Sequence, residues 1–108
     1  MLKEKDYCDY KLRLGLRDIG YPMSTCQIND GPIQMPKITL YEAQKFLREE
    51  KKIEVLVLSK GMVGAPYDVQ VYTEDYVNQM GIEYSSYEEA LLEGIKEAIE
   101  ILKDEEAN

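Results

Sequence analysis

The side chains able to do chemistry in this chain are carboxylates, phenols, a few lysines and two thiols, because no histidine occurs. That removes the Ser-His-Asp triad, the Cys-His pair, histidine-bearing zinc sites and the HExxH metalloprotease helix, which all need imidazole as base or ligand. Glu89/Glu93 and Glu93/Glu97 each share a helix face at a spacing of four. That is ordinary for a surface helix, and no ExxH helix accompanies them to complete a carboxylate metal pair. Glu74-Asp75 and Asp30 fall short of the calcium-loop pattern. Gly61-Met62-Val63-Gly64 lacks both the dinucleotide fingerprint and a phosphate-loop ending, and it leads into a strand instead of a helix N-terminus. Cys8 and Cys26 are too far apart for a CxxC pair and read as free thiols. The expectation is therefore no catalytic residue, no cofactor and no metal. Serine or threonine with lysine, or paired carboxylates, remain chemically possible, which leaves an enzyme of unrecognised type as an alternative.

The elements that must position these groups fit one domain, 1–108, with 1–7 and 104–108 frayed. The chain has 108 residues, 44% hydrophobic and 31% charged, and folding would bury about two thirds of its surface. Tyr10, Leu12, Leu14 and Leu16 alternate as in a strand, yet Cys8, Leu12, Leu16 and Ile19 form a helical stripe that Gly20-Tyr21-Pro22 would stop, so 9–19 reads as helix. Residues 22–38, with Asp30-Gly31-Pro32, read as a connector containing a turn, with a short hairpin between 25–28 and 33–35 as the alternative. Thr39-Leu40-Tyr41-Glu42 is a capping box opening a helix over 39–50. Strands follow at 53–59, 67–74 and 81–84, the last after a turn around Asp75 to Met80. A final helix over 86–103 has Ser85/Glu88 or Ser86/Glu89 as its cap.

The first loop is too short for a parallel crossover, so the expected fold class is α+β: a small two-layer fold, a short antiparallel β-meander packed against helices. The expected core is Leu47, Val55, Val57, Val69, Val71, Leu91, Ile95, Ala98 and Leu102. Ala90, Gly94 and Ala98 let the last helix approach the sheet closely.

Charge is divided along the chain. The total is −8; residues 1–60 hold eleven basic against nine acidic side chains, and 61–108 hold two against twelve. Direct nucleic-acid binding is disfavoured, since displacing phosphate counterions needs clustered positive charge. No apolar run approaches twenty residues and no leader pattern is visible, so membrane spanning is not expected and the cytoplasm is the expected location.

Nine tyrosines and no tryptophan are the compositional outlier. Tyrosine joins a large ring to a polar tip and suits protein contacts as well as core margins. Tyr72 projects with Asp68 and Gln70 away from the helix-covered face. With Leu56, Leu58 and Tyr84 these residues form a candidate protein-contact surface, unless the N-terminal segment covers it. The expected partner is an unidentified protein or a second copy of the chain.

Three stretches, Leu12 to Pro22, Pro36 to Glu49 and Ser85 to Ile95, resemble a family of small uncharacterised proteins of bacteriophages and prophage-like regions in gut Bacteroidales. The likeness spans most of residues 12–102; Phe46 stands where a tryptophan is frequent in the family, and 23–35 match no family pattern. It implies helix, capped helix, strands and helix, and transfers no activity or catalytic residue. Composition, surface and resemblance together give the expectation of a non-enzymatic phage-type accessory protein acting through protein contacts. The alternative is an acidic nucleic-acid mimic, motivated by the row Glu89, Glu93, Glu97, Glu100 and Asp104 and weakened by nearby Lys96 and Lys103.

Overall fold

The computed structural model describes residues 6–22, 37–59, 67–74, 77–79 and 84–107. Their order is α1 (Tyr10–Asp18), α2 (Leu40–Glu50), β1 (Glu54–Ser59), β2 (Tyr67–Tyr72), β3 (Val77–Gln79) and α3 (Tyr87–Ala107). This is a small α+β fold with an antiparallel meander, β1-β2-β3, packed against helices. The turn at Asp30-Gly31, Cys26, the 61–66 loop and residues 1–5 lie outside the described residues.

Each helix begins where a side chain satisfies an orphan amide. Asp9 Oδ1 accepts from the Leu12 N–H at 2.8 Å, which settles 10–16 as helix. Thr39 and Glu42 form the full capping box. Of the two serine registers the second is used: Ser86 Oγ accepts from the Glu89 N–H at 3.1 Å. Helix ends use the left-handed conformation. Gly20 stops α1 at φ 100°, and Lys52 stops α2 at φ 58°, where the Ile53 N–H bonds back to the Leu47 carbonyl at 3.0 Å. Helix α3 continues to Ala107, through residues expected to fray, and Tyr7 pairs with Thr39.

In the sheet, Val55 pairs with Val71 and Val57 with Val69, while β3 pairs Val77 with Tyr72 and Gln79 with Gln70. The third described strand is thus 77–79, inside the stretch expected to turn, while the strand expected at 81–84 lies, apart from Tyr84, outside the described residues. Only four residues link Tyr72 to Val77, so the returning chain meets β2 at once, and that proximity outweighs the low strand propensity of Asn78-Gln79. Tyr84, the one described residue of 81–84, makes an isolated bridge to Tyr67 with hydrogen bonds in both directions. That doubly bonded pair fixes the backbone phase. Odd-numbered backbone groups of β2 turn toward β3 and even-numbered ones toward β1, so on β1 the groups of Leu56 and Leu58 bond β2 while those of Val55, Val57 and Ser59 turn out to the free edge.

Helix α3 lies across β1 and β2, with α2 on β1 and α3, and α1 on α3. Of the expected core, Leu47, Val55, Val69, Val71, Leu91, Ile95 and Ala98 are buried; Val57 and Leu102 are half-buried at its margin. The close approach of α3 is real: a Cβ on Gly94 would stand 2.5 Å from Val55 Cγ1 and 2.6 Å from Val69 Cγ2. Gly94→Ala should therefore destabilise by about 1–2 kcal/mol, overpacking outweighing the gain in helix propensity, as a lower urea midpoint will show. Lys52→Gly should stabilise by about 0.5–1 kcal/mol in the same assay by relieving a left-handed lysine.

Candidate functional site

Pairing sorts the candidate surface residues by face. Residues directly opposite one another share a face, so Glu54, Leu56 and Leu58 lie with Tyr72, Gln70 and Asp68 on the side away from α3. Leu56 is 38% exposed, and Leu58, Gln70 and Tyr72 are half-buried. The Tyr72 hydroxyl donates to Gln70 Oε1, tying the two polar tips together along β2. Val77, opposite Tyr72, extends the patch and is 54% exposed. Sequence reasoning missed Val77 because it placed a turn where β3 runs.

Two expected members are placed differently. Tyr84 is only 7% exposed and belongs to the core: its bridge to Tyr67 sets it on the helix side, where Tyr67 also meets the Tyr87 ring edge-to-face at 6.1 Å. Burial, followed by the charges of Glu93, Asp68 and Glu89, raises the Tyr84 phenol above its ordinary value. Asp68 has the expected strand phase but is fully buried, with Oδ1 accepting from the Val69 N–H at 2.7 Å. A carboxylate in such a position needs hydrogen bonds in place of water, so the Asp68 end of the face is closed. The N-terminal helix does not cover what remains, since α1 packs on the opposite layer through Gly15 against Ile99 and through a 3.5 Å ion pair of Lys103 with Asp18.

A second exposed aromatic group consists of Tyr41 and Tyr87 at the starts of α2 and α3. Burial, then the carboxylates of Asp6 and Glu88, raises the Tyr41 phenol. The signal available in sequence was position: each tyrosine follows its N-cap closely.

Elsewhere among the described residues, polar groups line open cavities. An open cavity of about 190 Å³ touches Lys51, Lys52, Thr73, Glu74 and Glu105. The Lys52 ammonium, however, donates to the Glu49 carbonyl at 3.2 Å, and that of Lys51 lies 6.0 Å from the Phe46 ring centre. Another of about 370 Å³ is lined by Gly20, Pro22, Phe46, Glu50 and Lys51. Among the described residues no group of three acids or thiols is placed to hold a metal, and no helix is long and apolar enough to cross a membrane. The acidic row of α3 is engaged locally: Ser85 Oγ donates to Glu89 at 2.8 Å, Asn78 Nδ2 to Glu97 at 3.0 Å, and Lys96 lies 3.4 Å from Glu93.

Comparison with protein families, curated proteins and solved structures finds no match to this chain, so the likeness to small phage proteins rests on the three stretches that carry it.

Cys8 is a free, buried thiol whose Sγ faces the Thr39 carbonyl at 3.7 Å. Burial first, then the Asp9 carboxylate, pushes its pKa up to about 12. In a Cys26→Ser background, Cys8 should resist a disulfide reagent at about pH 8 while folded and react once unfolded in urea. Because the thiol's ordinary value of 9.0 is raised by folding, this contribution to stability is complete below that value and is lost as pH climbs toward about 12, with the urea midpoint falling accordingly.

Proposed function

We propose that the protein is a non-enzymatic accessory protein of the phage or prophage type that works by holding another protein against the helix-free face of its sheet. The observation that carries this reading is the patch of Leu56, Leu58, Tyr72 and Val77 on that face, left uncovered by α1. Leucine and tyrosine at the centre, with the Gln70 amide beside them, match the apolar-aromatic centre and polar margin of protein interfaces. Acidic mimicry of nucleic acid is less well supported, because a mimic must present its carboxylates in an open row and those of Glu89, Glu93 and Glu97 are engaged with Ser85, Lys96 and Asn78.

Retention of proteins from a lysate of the native host by immobilised wild-type chain is the test. Leu56→Ala with Tyr72→Ala should abolish retention, a loss of about 2 kcal/mol or more for a central contact, whereas Glu93→Lys with Glu97→Lys should leave it intact. Retention that survives the first pair and is lost with the second moves the contact to α3 and removes this reading.

A further inference from the structure

Among the described residues β1 is an edge strand, and an edge strand needs protection from pairing with another chain. Among the described strands only β2 pairs with it, and the backbone groups of Val55, Val57 and Ser59 turn to the other side. Val55-Leu56-Val57-Leu58 contains no charge, glycine or proline, the composition that pairs most readily with another strand. Two contacts from α2 reach this edge. The Ile53 N–H is held by the Leu47 carbonyl at 3.0 Å, part of the helix end itself. The Val55 carbonyl is held by a side chain alone, accepting from Gln44 Nε2 at 2.7 Å.

We propose that Gln44 is a latch: its amide occupies the Val55 carbonyl and so keeps the β1 edge from pairing with β1 of a second copy of this chain. The second copy is the fitting occupant because the strand is self-complementary. Antiparallel pairing centred on Val57 sets Val57 against its own equivalent and Leu56 against Leu58 in both directions, joining the two helix-free faces into one apolar surface. In that arrangement Val55 lies opposite Ser59 of the other copy and needs its carbonyl for the ladder. With Gln44 in place that bond is lost twice by symmetry, and a side chain from each copy stands in the gap. The latch concerns the strand edge and is independent of what binds the face.

The test is sedimentation of the full chain over about a hundredfold range of concentration, with amide exchange at Val57 as the second readout. Gln44→Met keeps length and helix propensity while removing the donor; Gln44→Ala is the second variant should methionine disturb the fold. Wild type should remain monomeric with a Val57 amide that exchanges readily. The variant should associate at least about tenfold more tightly, with that amide becoming protected as association proceeds, and Leu56→Lys added to it should restore the monomer. A folded variant that stays monomeric, or one that associates without protection at Val57, overturns the latch, as does wild type already associating as tightly.

Discussion

Contact between the Gly94 backbone and the Val55 and Val69 side chains sets the distance between the two layers, and the remaining packing follows from it. The three described strands form a narrow sheet, and α3 lies on its first two. With Ala90, Gly94 and Ala98 all buried, α3 lies close enough for Leu91 and Ile95 to fill the space on either side. A helix held that near β1 and β2 leaves room beside it for α2, whose Ala43 and Leu47 face the same core, and behind it for α1, which repeats the device through Gly15 on Ile99.

This arrangement makes the three described helices run in the same direction. Tyr7 and Thr39, each just before a helix, pair with one another, and the Tyr41 phenol senses Glu88 at the start of α3. At the far end Lys103 meets Asp18, and the residues that close α2 share a cavity with Leu102 and Glu105. Parallel helix dipoles gather partial positive charge at one end. The caps there are correspondingly acidic or hydroxylic: Asp9, Thr39 with Glu42, and Ser86 with Glu89 nearby. Gathering the described helices on one side of the sheet leaves Leu56, Leu58, Tyr72 and Val77 outside the helical layer, so the candidate contact surface is a consequence of the same packing that forms the core. On that side, Tyr72 and Gln70 satisfy one another, and Leu56 and Val77 remain open to solvent.

Much of this was legible from the chain because it depends on neighbours a few residues apart. The α2 capping box and the Gly20 stop are local hydrogen-bond and dihedral problems that Thr39, Glu42 and Gly20 solve in any context. The alternation of Val69 and Val71 with Gln70 and Tyr72 likewise assigns faces before any partner strand is known. The N-terminal helix was ambiguous because Leu12, Leu14 and Leu16 also alternate; the Asp9 side chain, reaching the Leu12 amide, decides it.

Sequence alone determined that there would be capped helices, an apolar hairpin and a face carrying Leu56, Leu58 and Tyr72, since these follow from propensity and period. Tertiary structure decided which strand came third, because pairing at Val77 depends on how soon the chain returns to β2 rather than on what Val77-Asn78-Gln79 prefers. It decided that Tyr84 turns inward with Tyr67 and that Asp68 is enclosed, because burial depends on what lies across the strand, which period-two alternation does not contain. It alone placed Gln44 on the Val55 carbonyl: a glutamine on a helix has many possible partners, and only the docking of α2 against the edge of β1 selects that one.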